Sequence, residues 1–130
     1  MIAIRSELLP VRPEGIPEEL KRRPQWVNFE VALAGVEQFD GLGFVFCSGD
    51  PYTGVDLDHC VDPETGQIEL WALRIIEELD SYTEFSPSGK GVHIIVKGKI
   101  PSAVKRDEIE MYDCKRFFTI TGHVVELARD

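Results

Sequence analysis

The run "IELWALRIIEEL", Ile68 to Leu79, restricts this chain more than any other stretch of it. Its apolar residues fall at 68, 70, 71, 73, 75, 76 and 79, a spacing that predicts a well-buried helix packed on a sheet. Runs rich in β-branched and aromatic residues flank it in pairs. "LGFVFC" and "YTGVDLD" precede it, joined by "SGDP"; "SYTEFS" and "GVHIIVKG" follow it, joined by "PSGK". Both joins have hairpin chemistry. A helix set between two hairpins needs an antiparallel sheet to cover.

The flanks extend the pattern. "PEELKRR" reads as a short helix with Pro17 in its first turn and acids ahead of bases. Trp26 to Phe29 is a short strand, and "EVALAGVEQF" has helical composition. "IEMYD", "RFFTIT" and a short "HVVEL" close the chain as strands, while "KIPSAVKRD" connects them to the second hairpin. The order α, β, α, ββ, α, ββ, βββ predicts an α+β fold with a largely antiparallel sheet and helices packed on one face. No repeat or linker interrupts it, so residues 1–130 are expected to form one domain.

Composition sets outer bounds. With 43% apolar and 28% charged residues, the chain is that of an ordinary globular protein. No apolar segment approaches a membrane span and the N-terminus lacks a signal-peptide layout, so a cytoplasmic location without a membrane partner is expected. Cys47, Cys60 and Cys114 are scattered without CxxC spacing, which fits a reducing compartment. A zinc site from His59, Cys60, Cys114 and His123 can be drawn, but the paired spacing that such sites use is absent.

The net charge of −9 argues against a general nucleic-acid binder. Its distribution is uneven. Between Ser86 and Thr121 seven basic residues meet four acidic ones, a balance of +3, which leaves −12 for the remainder. Any anion-binding surface would come from the C-terminal third, although lysines beside strands are often only solvated edges.

Within the β-rich runs a few polar residues need a reason. Asp56 and Asp58 stand two apart, hence on one strand face, where like charges repel and resist burial. Either that face is wet and the pair incidental, or something positive sits there. On "GVHIIVKG", His93 shares a face with Ile95 and Lys97, while Val92, Ile94 and Val96 take the other. Glu110 and Tyr112 oppose Ile109 and Met111, and Arg116 shares a face with Phe118. On one continuous sheet face Asp56, Asp58, Glu110 and His93 would converge, with Lys90 and Arg116 at the margin. Three carboxylates are hard oxygen ligands of the kind Mg²⁺ or Mn²⁺ prefers. A divalent ion beside basic groups suits a triphosphate, and the "SPSGKG" loop could wrap phosphate oxygens with its backbone N–H groups.

Joined in order, "GLGFVF", "GVDLDHCVD", "SYTEFSPSGKGVHIIVKGKIP" and "IEMYDCKRFFTITG" resemble the catalytic domain of bifunctional DNA primase–polymerases. These belong to the archaeo-eukaryotic primase superfamily, in the branch common in phages and plasmids. The likeness runs from about Gly41 to Gly122, with "RPQWVNFE" similar to the family's opening. It implies an RRM-like catalytic sheet, metal held by Asp56, Asp58 and Glu110, and a triphosphate contacted by His93 after Ser86, Ser88 and Lys90. Arg116, Thr119 and Thr121 would line the nucleotide side, and His59 would orient or cap the carboxylates. The implied reaction adds nucleoside triphosphates to a 3′-hydroxyl on a single-stranded DNA template, with Mg²⁺ or Mn²⁺ and with a helicase or other replication protein as partner. The family's basic segment between the "QWV" and "GFVF" strands, similar to "K-x-P-Y-N-P-x-T-G", is missing from "NFEVALAGVEQFDGLGF", and no accessory domain is expected after Asp130. That departure leaves two further readings: a minimal or degenerate domain that binds metal and nucleotide without polymerising, and a metal-dependent nuclease.

Overall fold

The computed structural model describes residues 9–28 and 42–127. The helix expected over "EVALAGVEQF" and the shortened connection around it lie outside the described residues. A 3₁₀ turn (Pro13–Gly15) and a one-turn helix α1 (Glu18–Lys21) lead into β1 (Trp26–Asn28). Then come β2 (Leu42–Phe46), β3 (Tyr52–Leu57), helix α2 (Leu70–Leu79), β4 (Tyr82–Phe85), β5 (Val92–Lys97), β6 (Val104–Arg106), β7 (Ile109–Tyr112) and β8 (Arg116–Ile120).

These strands make two sheets, both antiparallel: a small one ordered β1-β2-β8 and a large one ordered β4-β5-β3-β7-β6. The fold is thus mixed α+β. The β4–β5 hairpin across "PSGK" forms as expected. The expected β2–β3 hairpin does not. Both edges of β2 are taken by β1 and β8, and both edges of β3 by β5 and β7, so "SGDP" carries the chain from one sheet into the other. "HVVEL" is not a strand either; it runs along the open edge of β4 and makes one bridge, Glu84 to Val124. Within "KIPSAVKRD", Val104 to Arg106 does form a strand, closed onto β7 by a tight turn in which Asp107 takes a positive φ of 52°.

Alternation along the large sheet separates two faces. Val55, Leu57, Val92 and Ile94 point to α2 and pack with Ala72 and Ile76. The helix buries one face only, since Leu70 is 61% exposed, so it is more amphipathic than the spacing suggested. The opposite face carries Tyr52, Ile95 and Tyr112, which pack with Phe44, Phe46, Phe118 and Ile120 of the small sheet and with Leu20 of α1. The small sheet and α1 therefore cover the face opposite α2, so the helices do not share one face as expected, and the fold has three layers.

At Gly54 the two sheets approach closely. A Cβ there would lie 2.6 Å from both Phe118 and Phe46 ring atoms. Gly54→Ala is expected to lower stability by about 1–3 kcal/mol through overpacking, read as a shift in urea midpoint. An unchanged midpoint would show that the sheets can part at no cost.

Candidate metal centre

The large sheet sets one polar residue per strand in a single row. Register pairs Glu84 of β4 with His93 of β5, His93 with Asp56 of β3, Asp56 with Glu110 of β7, and Glu110 with Lys105 of β6. All five share the face that the small sheet covers. Its cover thins along this row, where the inward-facing residues change from Gly54, Ile95 and Tyr112 to Asp56, His93 and Glu110. A cleft of about 310 Å³ opens there, lined by Asp56, His93, Glu110, Arg116, Phe117 and Thr119, with Pro87 and Tyr112 at its wall.

Asp58 follows the end of β3, two residues beyond Asp56, with its backbone N–H donated to the Glu108 carbonyl at 2.8 Å. Its side chain meets the row. One carboxylate oxygen each from Asp56, Asp58 and Glu110 lie within 4.8 Å of one another, all three residues half-buried. Burial pushes Asp56 up to about 6; the nearby His93 opposes the rise, and the negative charges of Asp58 and Glu110 add to it. An all-oxygen donor set carrying unrelieved like charge fits a hard divalent cation and suits neither a soft metal nor a bare site. The residues present therefore fit Mg²⁺ or Mn²⁺.

His93 is held on three sides. Its ring stacks on Phe118 at 4.3 Å and 13°, its Nε2 lies 3.7 Å from an Asp56 oxygen, and its Nδ1 lies 3.4 Å from Glu84 Oε2. Arg116 stands across the cleft with its guanidinium over the Tyr112 ring at 4.7 Å, a cation–π contact that leaves its N–H groups to the opening.

The remaining expected residues divide. Thr119 lines the cleft, whereas Thr121 is buried and donates its hydroxyl to the Phe85 carbonyl. Ser86 and Ser88 shape the β4–β5 turn: Ser86 Oγ accepts the Gly91 N–H and Ser88 Oγ the Lys90 N–H. With the Gly89 N–H donated to the Ser86 carbonyl, three amides of the turn are engaged inside it. The expected wrapping of phosphate by those amides lacks its donors. The turn reaches the cleft through Pro87, and Lys90 is exposed on the side of His59. His59 takes a positive φ of 53°, and its Nδ1 pairs with Glu108 Oε2 at 2.6 Å, which raises its pKa. It ties the end of β3 to the β6–β7 turn, a capping role. The paper zinc set does not assemble: among the described residues the group of ligating side chains that converges is Asp56, Asp58 and Glu110. Cys60 turns its thiol to the Leu57 carbonyl and His123 meets the Pro10 carbonyl.

Glu84, Lys105 and Phe117 are absent from the residues expected at the site, and Tyr112 and Phe118 enter that reading only as face-mates of Glu110 and Arg116. For Glu84 a signal existed, because pairing across the "PSGK" turn sets residue 84 opposite residue 93.

No family model matches the chain. A DNA primase-polymerase of Nitratiruptor phage NrS-1 is 38% identical over 110 residues, which covers 78% of this chain and 15% of that protein. The chain is homologous to a phage DNA primase-polymerase over most of its length. It spans about 15% of that relative, so the match concerns one part of a much larger phage protein.

Proposed function

We infer that this chain is the nucleotidyl-transfer core of a bifunctional primase–polymerase, of the archaeo-eukaryotic primase type found in phages and plasmids. One observation carries the reading. Asp56, Asp58 and Glu110 converge, and Asp56 and Glu110 line a cleft with His93 and Arg116. A cation-binding cluster beside groups that suit phosphate is the layout phosphoryl transfer needs, since that chemistry is mostly positioning and charge neutralisation. The RRM-like description of the large sheet belongs to the same reading, as does a cytoplasmic location.

In this reading Asp56, Asp58 and Glu110 hold Mg²⁺ or Mn²⁺. The bound ion would make a primer 3′-hydroxyl more acidic and offset charge on the phosphates. His93 through Nε2 and Arg116 through its guanidinium take the triphosphate of an incoming nucleotide, and Thr119 and Phe117 border it. The hydroxyl oxygen bonds to the α-phosphorus as the α–β bridging bond breaks and pyrophosphate leaves. Phe118 and Tyr112 keep water from one side of His93 and Arg116 and hold both side chains in place. A single-stranded DNA template and a helicase or other replication protein complete the proposed partners. The net charge of −9 favours a second reading, a domain that binds metal and nucleotide without extending DNA.

Melting with Mn²⁺ and a nucleoside triphosphate, then extension of a primed single strand, tests both. Ligand at a hundred times its dissociation constant adds about 2.7 kcal/mol, a rise of several degrees. The rise is expected in wild type and not in Asp58→Ala. Extension by wild type alone establishes the transferase, and binding without extension establishes the second reading. Degradation of the strand without nucleotide would make the chain a nuclease, and no response in either protein would sink all three.

A further inference from the structure

Among the described residues Glu84 is a carboxylate side chain with no exposure at all, and it ends the polar row beside His93. A carboxylate so deep is tolerated only when its oxygens are saturated by donors. They are. Oε1 accepts the Gly122 N–H at 3.0 Å and the Tyr82 hydroxyl at 2.6 Å; Oε2 accepts the Thr121 N–H at 2.9 Å and faces His93 Nδ1 at 3.4 Å. Three of those partners hold the carboxylate still, two of them backbone amides at the end of β8. The fourth, His93, is a side chain that reaches the cleft.

An imidazole has two nitrogens, and the hydrogen bond made by one decides what the other presents. With an immobile acceptor at Nδ1, a proton belongs on Nδ1, whatever Nε2 carries. The ring then cannot turn over without placing a C–H against the carboxylate. Phe118, stacked on the ring face, blocks tilting. Only Nε2 is left to meet the cleft, on the side of Asp56.

We propose that Glu84 is a positioning residue: by accepting the Nδ1–H at Oε2 it fixes the orientation of the His93 ring, so that Nε2 is the atom turned to the nucleotide. Glu84 itself touches neither nucleotide nor metal. The step to the nucleotide rests on the transferase reading; the step to the ring does not. Were Glu84 merely a strut tying β8 to β4, its loss would disturb the carboxylate cluster and the nucleotide contacts alike. As a positioning residue it affects the nucleotide and spares the metal.

Nitrogen-15 spectra of the histidines, with Mn²⁺ binding measured on the metal alone and triphosphate binding measured separately, decide between these. Wild type is expected to show His93 with a slowly exchanging proton on Nδ1. In Glu84→Ala that proton should exchange fast, and with the ring no longer held the triphosphate dissociation constant should rise about tenfold with Mn²⁺ affinity unchanged. Tyr82→Phe removes a donor from Oε1 alone and should leave the nitrogen pattern and the triphosphate affinity as they are. A bare Nδ1 in wild type overturns the proposal, even if Glu84→Ala fails to fold. So does a folded Glu84→Ala with unchanged nitrogens, or with metal and triphosphate affinity lost in parallel. If wild type shows the Nδ1 proton but binds no triphosphate, Glu84 still positions the ring and the transferase reading falls.

Discussion

Asp56→Asn is expected to make the metal-free protein more stable and to remove its response to Mn²⁺. Asp56 is the middle residue of the polar row, between His93 and Glu110 and two residues from Asp58. Burial, with Asp58 and Glu110 beside it, lifts its pKa from 3.8 to about 6. The folded state therefore holds a proton there that the unfolded chain has released, and stability falls as pH rises from about 4 to about 6. Above that window the full penalty is present. An uncharged isostere escapes it, so Asp56→Asn should gain about 2 kcal/mol at pH 7.5 in chelator. The gain should fade as pH drops through 3.8 and vanish below about 3, where both states of the wild type hold the proton. Adding Mn²⁺ should reverse the order, because wild type alone keeps three carboxylates. Urea unfolding across pH, with and without metal, measures both halves. A variant less stable than wild type in chelator would mean that the carboxylates do not strain one another.

Asp50→Ala is expected to cost about 3 kcal/mol, among the larger losses any single surface-to-core substitution here would produce. Asp50 is 4% exposed and organises the passage between the sheets. Its carboxylate accepts the Cys47 and Tyr52 N–H groups at 2.8 and 2.7 Å, Gln25 Nε2 at 2.8 Å and Lys99 Nζ at 3.4 Å. Lys99 reaches on to the Asp113 carbonyl, which ties this passage to the β7–β8 connection. Removing the carboxylate strands several part-buried donors at once. Burial alone would raise the Asp50 pKa, but those donors outweigh it and hold the group below its usual value. Its stabilisation is thus complete at neutral pH and is lost as pH falls through that lowered pKa. Wild type and Asp50→Ala should converge in stability in acid. A constant gap down to low pH would mean that packing, not the charge, is what Asp50 contributes.

Several features of the candidate site were legible because they depend on strand period alone. Asp56 and Asp58 had to share a face, and Glu110 and His93 had to oppose the apolar residues beside them, whatever the partners. The hairpin across "PSGK" was also local, and counting back from it reaches Glu84. Where reading the sequence failed, the deciding contact was distant. "SGDP" has hairpin chemistry, yet a turn specifies only that the chain reverses, not that the strands it joins will pair. Asp50 bonds with Gln25 and Lys99, and saturated edges on β2 and β3 send the two strands to different sheets. Thr121 shows the same limit: its alternation in "RFFTIT" could not reveal that Glu84 and Phe85 would claim its amide and hydroxyl.

By itself, the order of residues determined the type of α2 and of β2 to β5, β7 and β8, the α+β class and the set of carboxylates that can meet on one strand face, since periods of 3.6 and 2 act over a few residues. Tertiary structure alone decided that the small sheet's cover thins along the row from Glu84 to Lys105, which makes a cleft of a surface that would otherwise be open or wholly buried. It also decided that a fully buried Glu84 backs His93. Both outcomes depend on register between strands far apart in the chain, and register is set by which edges are still free when the sheets close.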